Sequence, residues 1–295
     1  MRPLADQVRD LLHAHGIKLN HELGQNFLIH EGVLEAIVES AGIEPKDHVV
    51  EIGPGIGVLT QYLLSLAGHV TVIELDTRFE PILKKFVRPV EGSEKKLTFI
   101  QGNALEVPMP EKPYKIVANI PYHITSPLLR HVFLESTRSP TSMTLLIQKE
   151  VAEKICDRNH AGLLTITVAL VGTPNLMLQV PKQCFLPPPE VESAVLHIEC
   201  FAKPIADATT IDAVLRLAKA AFGQKRKMLS NSLGQSPSGK ERMQKAGIDP
   251  MRRPETLSVD EWIALAKVDV PEEKRTTQKA PRKAWKEAML KKRNS

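Results

Sequence analysis

The chain has 295 residues, 42% of them hydrophobic, and a formal net charge of +5, the profile of an ordinary globular chain with a sizeable core. No apolar run is long enough to span a bilayer. Three cysteines without CxxC spacing (Cys156, Cys184, Cys200) argue against a zinc site or disulfide framework and for a reducing, cytoplasmic setting, with the thiols acting as small buried hydrophobes.

The opening stretch, MRPLADQVRDLLHAHGI, carries Asp6 and Asp10 inside an apolar repeat and predicts a short amphipathic helix rather than a signal or transit peptide. From about residue 48 to 150, short apolar strands alternate with amphipathic helices. HVVEI (48–52), HVTVIEL (69–75), LTFIQ (97–101), KIVAN (115–119) and SMTLLIQ (142–148) read as strands; VLTQYLLSLAG (58–68), ending at a glycine cap, and TRFEPILKKFVRPV (77–90) read as helices. LMLQV (176–180) and SAVLHIEC (193–200) are late strands with no full helix between them, the pattern of an antiparallel pair. The expected fold is α/β: a Rossmann-like, doubly wound sheet, mostly parallel, with ligands at the carboxyl ends of its strands.

After residue 200 the strands stop. FAKPIADATT reads as a linker. DAVLRLAKAAFG, KRKMLSNSLG, GKERMQKAGI and SVDEWIALAK read as short helices, the last opened by a capping box of Ser258 and Glu261. The expected organisation is a main domain over 1–200 with residues 1–23 as its lead-in, a small helical domain over 201–270, and a basic tail over 271–295 expected to be flexible. Charge follows this division. Residues 1–210 hold 19 Lys+Arg against 24 Asp+Glu, whereas residues 211–295 hold 20 against 10. A back end at net +10 suits a polyanionic partner, or else a solvated basic surface.

Two stretches carry chemistry. EIGPGIGVLT (51–60) follows the first of these strands, and Gly53, Gly55 and Gly57 permit a tight turn close to a ligand. Val58 stands where a dinucleotide fingerprint needs its third glycine, and no Gly-Lys-Ser/Thr follows, so neither a pyrophosphate loop nor a Walker loop fits. Glu51 ends one strand and Glu74 the next, about twenty residues past the turn, where a ribose-binding carboxylate belongs. The combination suggests a nucleoside cofactor without a pyrophosphate, and acids there suit a cation such as the sulfonium of S-adenosyl-L-methionine. The second stretch is NIPY (119–122), at the end of the fourth strand of this series. Adenine's amino group offers two N–H donors; the Asn119 amide oxygen and the Ile120 carbonyl can accept them, Pro121 stiffens the turn, and Tyr122 offers a face for stacking. A methyl on a good leaving group needs position rather than a nucleophile, which accounts for the missing Ser or Cys. Taken alone, the tetrapeptide is equally readable as a polar strand end with a proline turn.

From about Gly24 to Lys267 the sequence resembles the small-subunit (16S) ribosomal RNA adenine-N6,N6 dimethyltransferases of the KsgA/RsmA type. GQNFL (24–28), EIGPGIGVLT, VIELD (72–76), GNALEV (102–107), NIPYHITSPLL (119–129), QKEVAEKI (148–155), CFLPPPEVESAVLHI (184–198) and AFGQKRKMLSNSL (221–233) occur in family order; the last two are the most specific, since methyltransferases in general lack them. The resemblance implies a class I methyltransferase domain and N6 dimethylation of two adjacent adenines in a hairpin near the 3′ end of small-subunit ribosomal RNA during ribosome assembly. Gln25, Asn26 and Leu28 would close over S-adenosyl-L-methionine, with Gly53 and Glu74 contacting its methionine part and ribose. Asn103 would lie beside its adenine, and Glu51, Gly55, Ala104 and Asn119 would also belong to the cofactor site. Asn119, Ile120, Pro121 and Tyr122 would hold the target base, with Phe185 stacked on its other face. Lys225, Arg226 and Lys227 would contact RNA phosphates, as would Arg252 and Arg253 on the same face. His123 is expected to support Tyr122 rather than act as a base. The expected partner is small-subunit RNA or its assembling particle, with no membrane, no metal and a monomeric enzyme. Asn103 stands where the family has Asp, which removes a charge opposite the cofactor's adenine amino group. KLNHE, before GQNFL, is less basic than in the family. Methylation of large-subunit RNA, RNA chaperoning without catalysis and small-molecule methylation are the alternatives. AFGQKRKMLSNSL argues against the first, the intact NIPY and glycine turn against the second, and the basic back end against the third.

Overall fold

A seven-stranded sheet runs through the molecule. The computed structural model describes residues 2–17, 25–87, 97–223 and 227–269. The strands are β1 (Phe27–Leu28), β2 (His48–Ile52), β3 (His69–Glu74), β4 (Leu97–Gln101), β5 (Lys115–Asn119), β6 (Ser142–Gln148), β7 (Gly172–Val180), β8 (Phe185–Leu186) and β9 (Ser193–Cys200). The helices are α1 (Leu4–Ala14), α2 (Glu31–Ala41), α3 (Val58–Leu66), α4 (Glu80–Phe86), α5 (Thr125–Arg130), α6 (Lys149–Cys156), α7 (Leu163–Ala169), α8 (Ala208–Phe222), α9 (Pro237–Lys245) and α10 (Val259–Lys267). The large sheet has the order β4-β3-β2-β5-β6-β9-β7. β2 to β6 pair in parallel, while β9 is antiparallel to both β6 and β7. Chain order reverses between β2 and β5, which makes that crevice the switch point where doubly wound sheets bind ligands.

Side-chain alternation splits the core into two layers. Val49, Val117 and Leu146 point to the face covered by α1 to α4, whereas Val50, Ile116, Ala118 and Leu145 point to the face covered by α5 to α7. The C-terminal helices extend the second layer: Ile211, Val214 and Ala218 of α8 and Trp262 and Leu265 of α10 belong to the same apolar cluster as α5 to α7. Asp207 caps α8 by accepting from the Thr210 N–H, and the expected Ser258–Glu261 capping box opens α10.

Several elements differ from expectation. α3 ends in extended backbone at Ala67, so Gly68 is no left-handed cap. It is required because a Cβ there would sit 2.5 Å from the Pro45 carbonyl oxygen. β7 begins four residues before the expected start. The described part of the KRKMLSNSLG stretch folds as two 3-10 turns, Leu229–Asn231 and Leu233–Gln235. Helices α2 and α7 and the small β1–β8 ribbon add to the expected elements. The basic tail, KLNHE and the end of the 77–90 helix lie outside the described residues.

Candidate active site

Strand register brings the expected residues together. Glu74 pairs with Gln101, and the β2–β3 and β2–β5 registers, each continued past its last bonded pair, set Gly53 level with Glu74 and with Asn119. Gln101, Glu74, Gly53 and Asn119 thus form a row across the carboxyl ends of four neighbouring strands, spanning about 14 Å at roughly 4.8 Å per strand. Above the row opens a cleft of about 1170 Å³, its mouth included, lined by Gln25, Asn26, Leu28, Glu51, Gly53, Gly55, Glu74, Asn103, Ala104 and Asn119 to Tyr122. Phe27, Asp76 and Leu75, 56% exposed, also line it without having been anticipated.

The glycine turn is held open by backbone that side chains resist. Gly53, Gly55 and Gly57 all have positive φ, at 66°, 56° and 92°. At Gly55 a Cβ would lie 2.6 Å from Cε1 of Phe27, a ring that also packs edge-on against Phe79 at 5.7 Å. The turn's floor therefore depends on a bare backbone beneath the first strand.

Two buried carboxyls flank the turn. Glu51 is 1% exposed and accepts a hydrogen bond from the Thr60 hydroxyl (2.6 Å). Burial pushes its pKa up to about 8, against the Thr60 hydrogen bond and with a further push from Glu74. Glu74 is raised as well, chiefly by burial; its oxygens accept from the Asp76 N–H (2.8 Å) and the Gly55 N–H (3.1 Å). Asp76 behaves oppositely: Arg78, with help from Gln25, holds it down at about 2. Gln25 Nε2 donates to Asp76 Oδ2 (3.0 Å), pinning the segment before β1 over the end of β3.

At the end of β5 the Asn119 amide is oriented. Its Nδ2 donates to the Asn26 carbonyl (3.1 Å), so Oδ1 is the acceptor that Asn26 does not engage. Ile120 is buried, at 2% exposure, and lines the cleft. The Tyr122 hydroxyl lies 2.7 Å from the hydroxyl of Ser193, a fully buried residue at the start of β9. A Cβ on Gly53 would come within 3.9 Å of Pro121, so the glycine turn and NIPY face each other directly. His123 also lines the cleft.

Phe185 departs from expectation. It is 1% exposed, does not line the cleft, and belongs to the apolar cluster of Val180, Cys184 and Val195. The cause is pairing: Leu28 of β1 sits opposite Phe185 of β8, and the ribbon draws the ring into the core. In this conformation it has no face to offer a base. Arg252 also differs: its guanidinium donates to both Glu261 carboxylate oxygens and to the Thr256 carbonyl, clamping α10 rather than standing clear for phosphate. Arg253 is exposed, and its guanidinium lies 3.8 Å from the Glu255 carboxylate. Lys227 is exposed too, while Lys225 and Arg226 lie outside the described residues.

The donor set fits an adenosyl sulfonium. An acid at the end of β3 suits ribose hydroxyls, a buried acid beside a bare turn suits a cation, and the open backbone at Gly55 admits close approach. A doubly wound sheet with its glycine turn at β2, an acid ending β3 and Asn-Ile-Pro-Tyr after β5 defines a class I, S-adenosylmethionine-dependent methyltransferase. No helix among the described residues is long and apolar enough to cross a membrane, and no group of three His, Cys, Asp or Glu side chains among them is placed to hold a metal.

The sequence model of the family described as "Ribosomal RNA adenine dimethylase" matches residues 16–269. The chain is 40% identical to "Ribosomal RNA small subunit methyltransferase A" of Dehalococcoides mccartyi (strain CBDB1), over 89% of this chain and 92% of that protein. It is equally identical, at 40%, to the protein so named in Sinorhizobium fredii (strain NBRC 101917 / NGR234), over 88% of each. Among solved structures it is similar to a dimethyladenosine transferase from Plasmodium falciparum, with a TM-score of 0.69 and 27% identity over 80% of this chain and 94% of that one. It shares the fold of the 23S rRNA methyltransferase ErmE, with a TM-score of 0.65 and 24% identity over 82% of this chain and 98% of that one. The chain belongs to the ribosomal RNA adenine dimethylase family.

Proposed function

We propose that the protein transfers methyl groups from S-adenosyl-L-methionine to N6 of two adjacent adenines in a 3′-terminal hairpin of small-subunit ribosomal RNA, as part of small-subunit assembly in the cytoplasm. The observation that supports this reading is the register row from Gln101 to Asn119, which sets four strand ends side by side across the switch point. Bound there, the cofactor supplies an electrophilic methyl on a sulfur leaving group. Glu74 receives ribose hydroxyls, Glu51 and the Gly53–Gly55 backbone receive the methionine end, and Asn103 with Ala104 receives the adenine.

The chain's own part in the reaction is to position. Asn119 Oδ1 and the Ile120 carbonyl accept the two N–H bonds of the target amine. This holds the nitrogen lone pair out of conjugation with the ring and aimed along the row. Tyr122, tethered by Ser193, stacks on the flipped-out base. After transfer the amine's extra proton leaves to water, and no general base is required. Lys227 and Arg253, both exposed, steer RNA phosphates, and Lys225 and Arg226 share that role. We take residues 1–200 as the catalytic unit, 201–270 as the RNA-facing one, and a monomer as the working form. A crystal soaked with S-adenosylhomocysteine tests the assignment: ligand along the row supports it, and ligand elsewhere contradicts it.

A further inference from the structure

Asn103 stands at the end of β4, one strand beyond Glu74, and its amide is fixed on both sides. Oδ1 accepts from the Leu105 N–H (3.0 Å), and Nδ2 donates to Glu106 Oε1 (3.3 Å). The backbone closes the same turn, with the Glu106 and Val107 N–H groups donating to the Asn103 carbonyl at 2.9 and 3.0 Å. These partners permit only one flip of the amide. Oδ1 keeps a lone pair, and Nδ2 keeps one N–H. A carboxylate at this position could only accept, whereas an oriented amide can accept from adenine's amino group and donate to an adjacent ring nitrogen, as paired amide contacts to adenine do.

We propose that Glu106 is a positioning residue that makes Asn103 a two-sided reader of the cofactor's adenine. The inference rests on the reading that places an adenosyl group along the row. The carboxylate of Glu106 draws on the Asn103 N–H and polarises the amide, so that Oδ1 accepts more strongly. Charge lost by having Asn at this position is thereby returned from three residues away. Glu106 is exposed and does not line the cleft, so it acts through Asn103 and its replacement leaves the core intact.

Calorimetric titration with S-adenosylhomocysteine, and with its 6-oxo analogue S-inosylhomocysteine, tests the proposal in five proteins: wild type, Glu106→Ala, Glu106→Gln, Asn103→Asp and the double variant Asn103→Asp/Glu106→Ala. Glu106→Ala is expected to weaken adenosyl binding by about threefold to tenfold, the scale of one net hydrogen bond, and to narrow the preference for the adenosyl over the inosyl ligand. Glu106→Gln, which still accepts through its amide oxygen but carries no charge, is expected to fall between wild type and Glu106→Ala. In the Asn103→Asp background the sign reverses: two carboxylates then face each other, and removing Glu106 tightens binding. A Glu106→Ala effect that is absent, or is the same size and sign in both backgrounds, overturns the proposal while leaving the adenosyl site standing. Wild type that binds neither ligand overturns both.

Discussion

The side-chain amide of Asn119 donates to the backbone carbonyl of Asn26 across 93 residues of chain (3.1 Å), so the segment leading into β1 sets which end of that amide faces the cleft. Asn119→Ala removes the acceptor without touching the cofactor's acids. The expected outcome is a loss in kcat of about 10² or more, the scale of removing one positioned transition-state hydrogen-bonding group, with S-adenosylhomocysteine affinity within about twofold of wild type, which is inside the spread of a surface substitution. Asn119→Asp is expected to fail as badly, since two acceptors would then meet at Asn26. Single-turnover transfer to RNA and calorimetry separate the two effects; unchanged turnover contradicts the role.

Ser193, the first residue of β9, holds the hydroxyl of Tyr122, and the chain just before it leads back to the ribbon that buries Phe185. If Tyr122 is the stacking face, its orientation depends on this bond. Ser193→Ala and Tyr122→Phe are each expected to lower kcat by about threefold to tenfold, and the double variant by no more than either alone, because both remove one hydrogen bond. Additive losses would show that the two residues act independently.

Glu51 gives the ligand-free protein a pH signature. Its carboxyl keeps a proton up to about pH 8 in the fold, while an unfolded glutamate releases it near its ordinary value of about 4.3. Between those limits the native state binds more protons, so stability falls as pH rises and levels off above about 8. Glu51→Gln removes that dependence and leaves the contribution of Glu74 in place. The melting temperature of the variant relative to wild type is therefore expected to climb from pH 5 to pH 8. A constant difference contradicts a buried, protonated Glu51. A cationic ligand draws the proton off, so wild-type affinity for S-adenosylmethionine should rise over the same window and that of Glu51→Gln should stay flat.

Much of the candidate site is legible in the sequence, because period-two apolar strands and a glycine turn report backbone geometry directly. The acids at 51 and 74 were findable from spacing, and the Ser258–Glu261 box from local chemistry. What escaped was long-range. Two-residue strands such as Phe27–Leu28 and Phe185–Leu186 carry no periodicity, so the ribbon that takes Phe185 out of the cleft had no local signal. The same holds for Arg252: beside Arg253 it reads as a phosphate contact until Glu261, already engaged at the cap of α10, is seen to accept from it as well. The Asn103 amide looked like a weakened acceptor, and only its turn with Leu105 and Glu106 shows it oriented.

Gly55 carries a steric prediction. Alanine there meets both a positive φ and the Phe27 ring. Gly55→Ala is expected to cost about 1–3 kcal/mol of stability from backbone strain and overpacking, and to abolish measurable binding of S-adenosylmethionine. Chemical denaturation and calorimetry check the two halves, and wild-type-like behaviour in both would contradict the packing described.

The proposed function divides the basic residues into phosphate-contacting and structural cations. Lys225→Ala/Arg226→Ala/Lys227→Ala and Arg253→Ala are expected to weaken RNA binding uniformly across sequences and to flatten its salt dependence by about one unit of log–log slope per lost phosphate contact. Arg252→Ala is expected instead to destabilise the fold by about 1 kcal/mol, a value discounted for its partial exposure, through loss of its clamp on α10. Identical salt slopes for all variants would contradict the division.

The most direct measurement is mass spectrometry of small-subunit RNA, unmodified at the outset, after incubation with the protein and methyl-deuterated S-adenosylmethionine. The predicted result is two adjacent adenosines near the 3′ end, each carrying two labelled methyl groups on N6, and none with Asn119→Ala. Label on another atom, label confined to large-subunit RNA, or no label at all would contradict it.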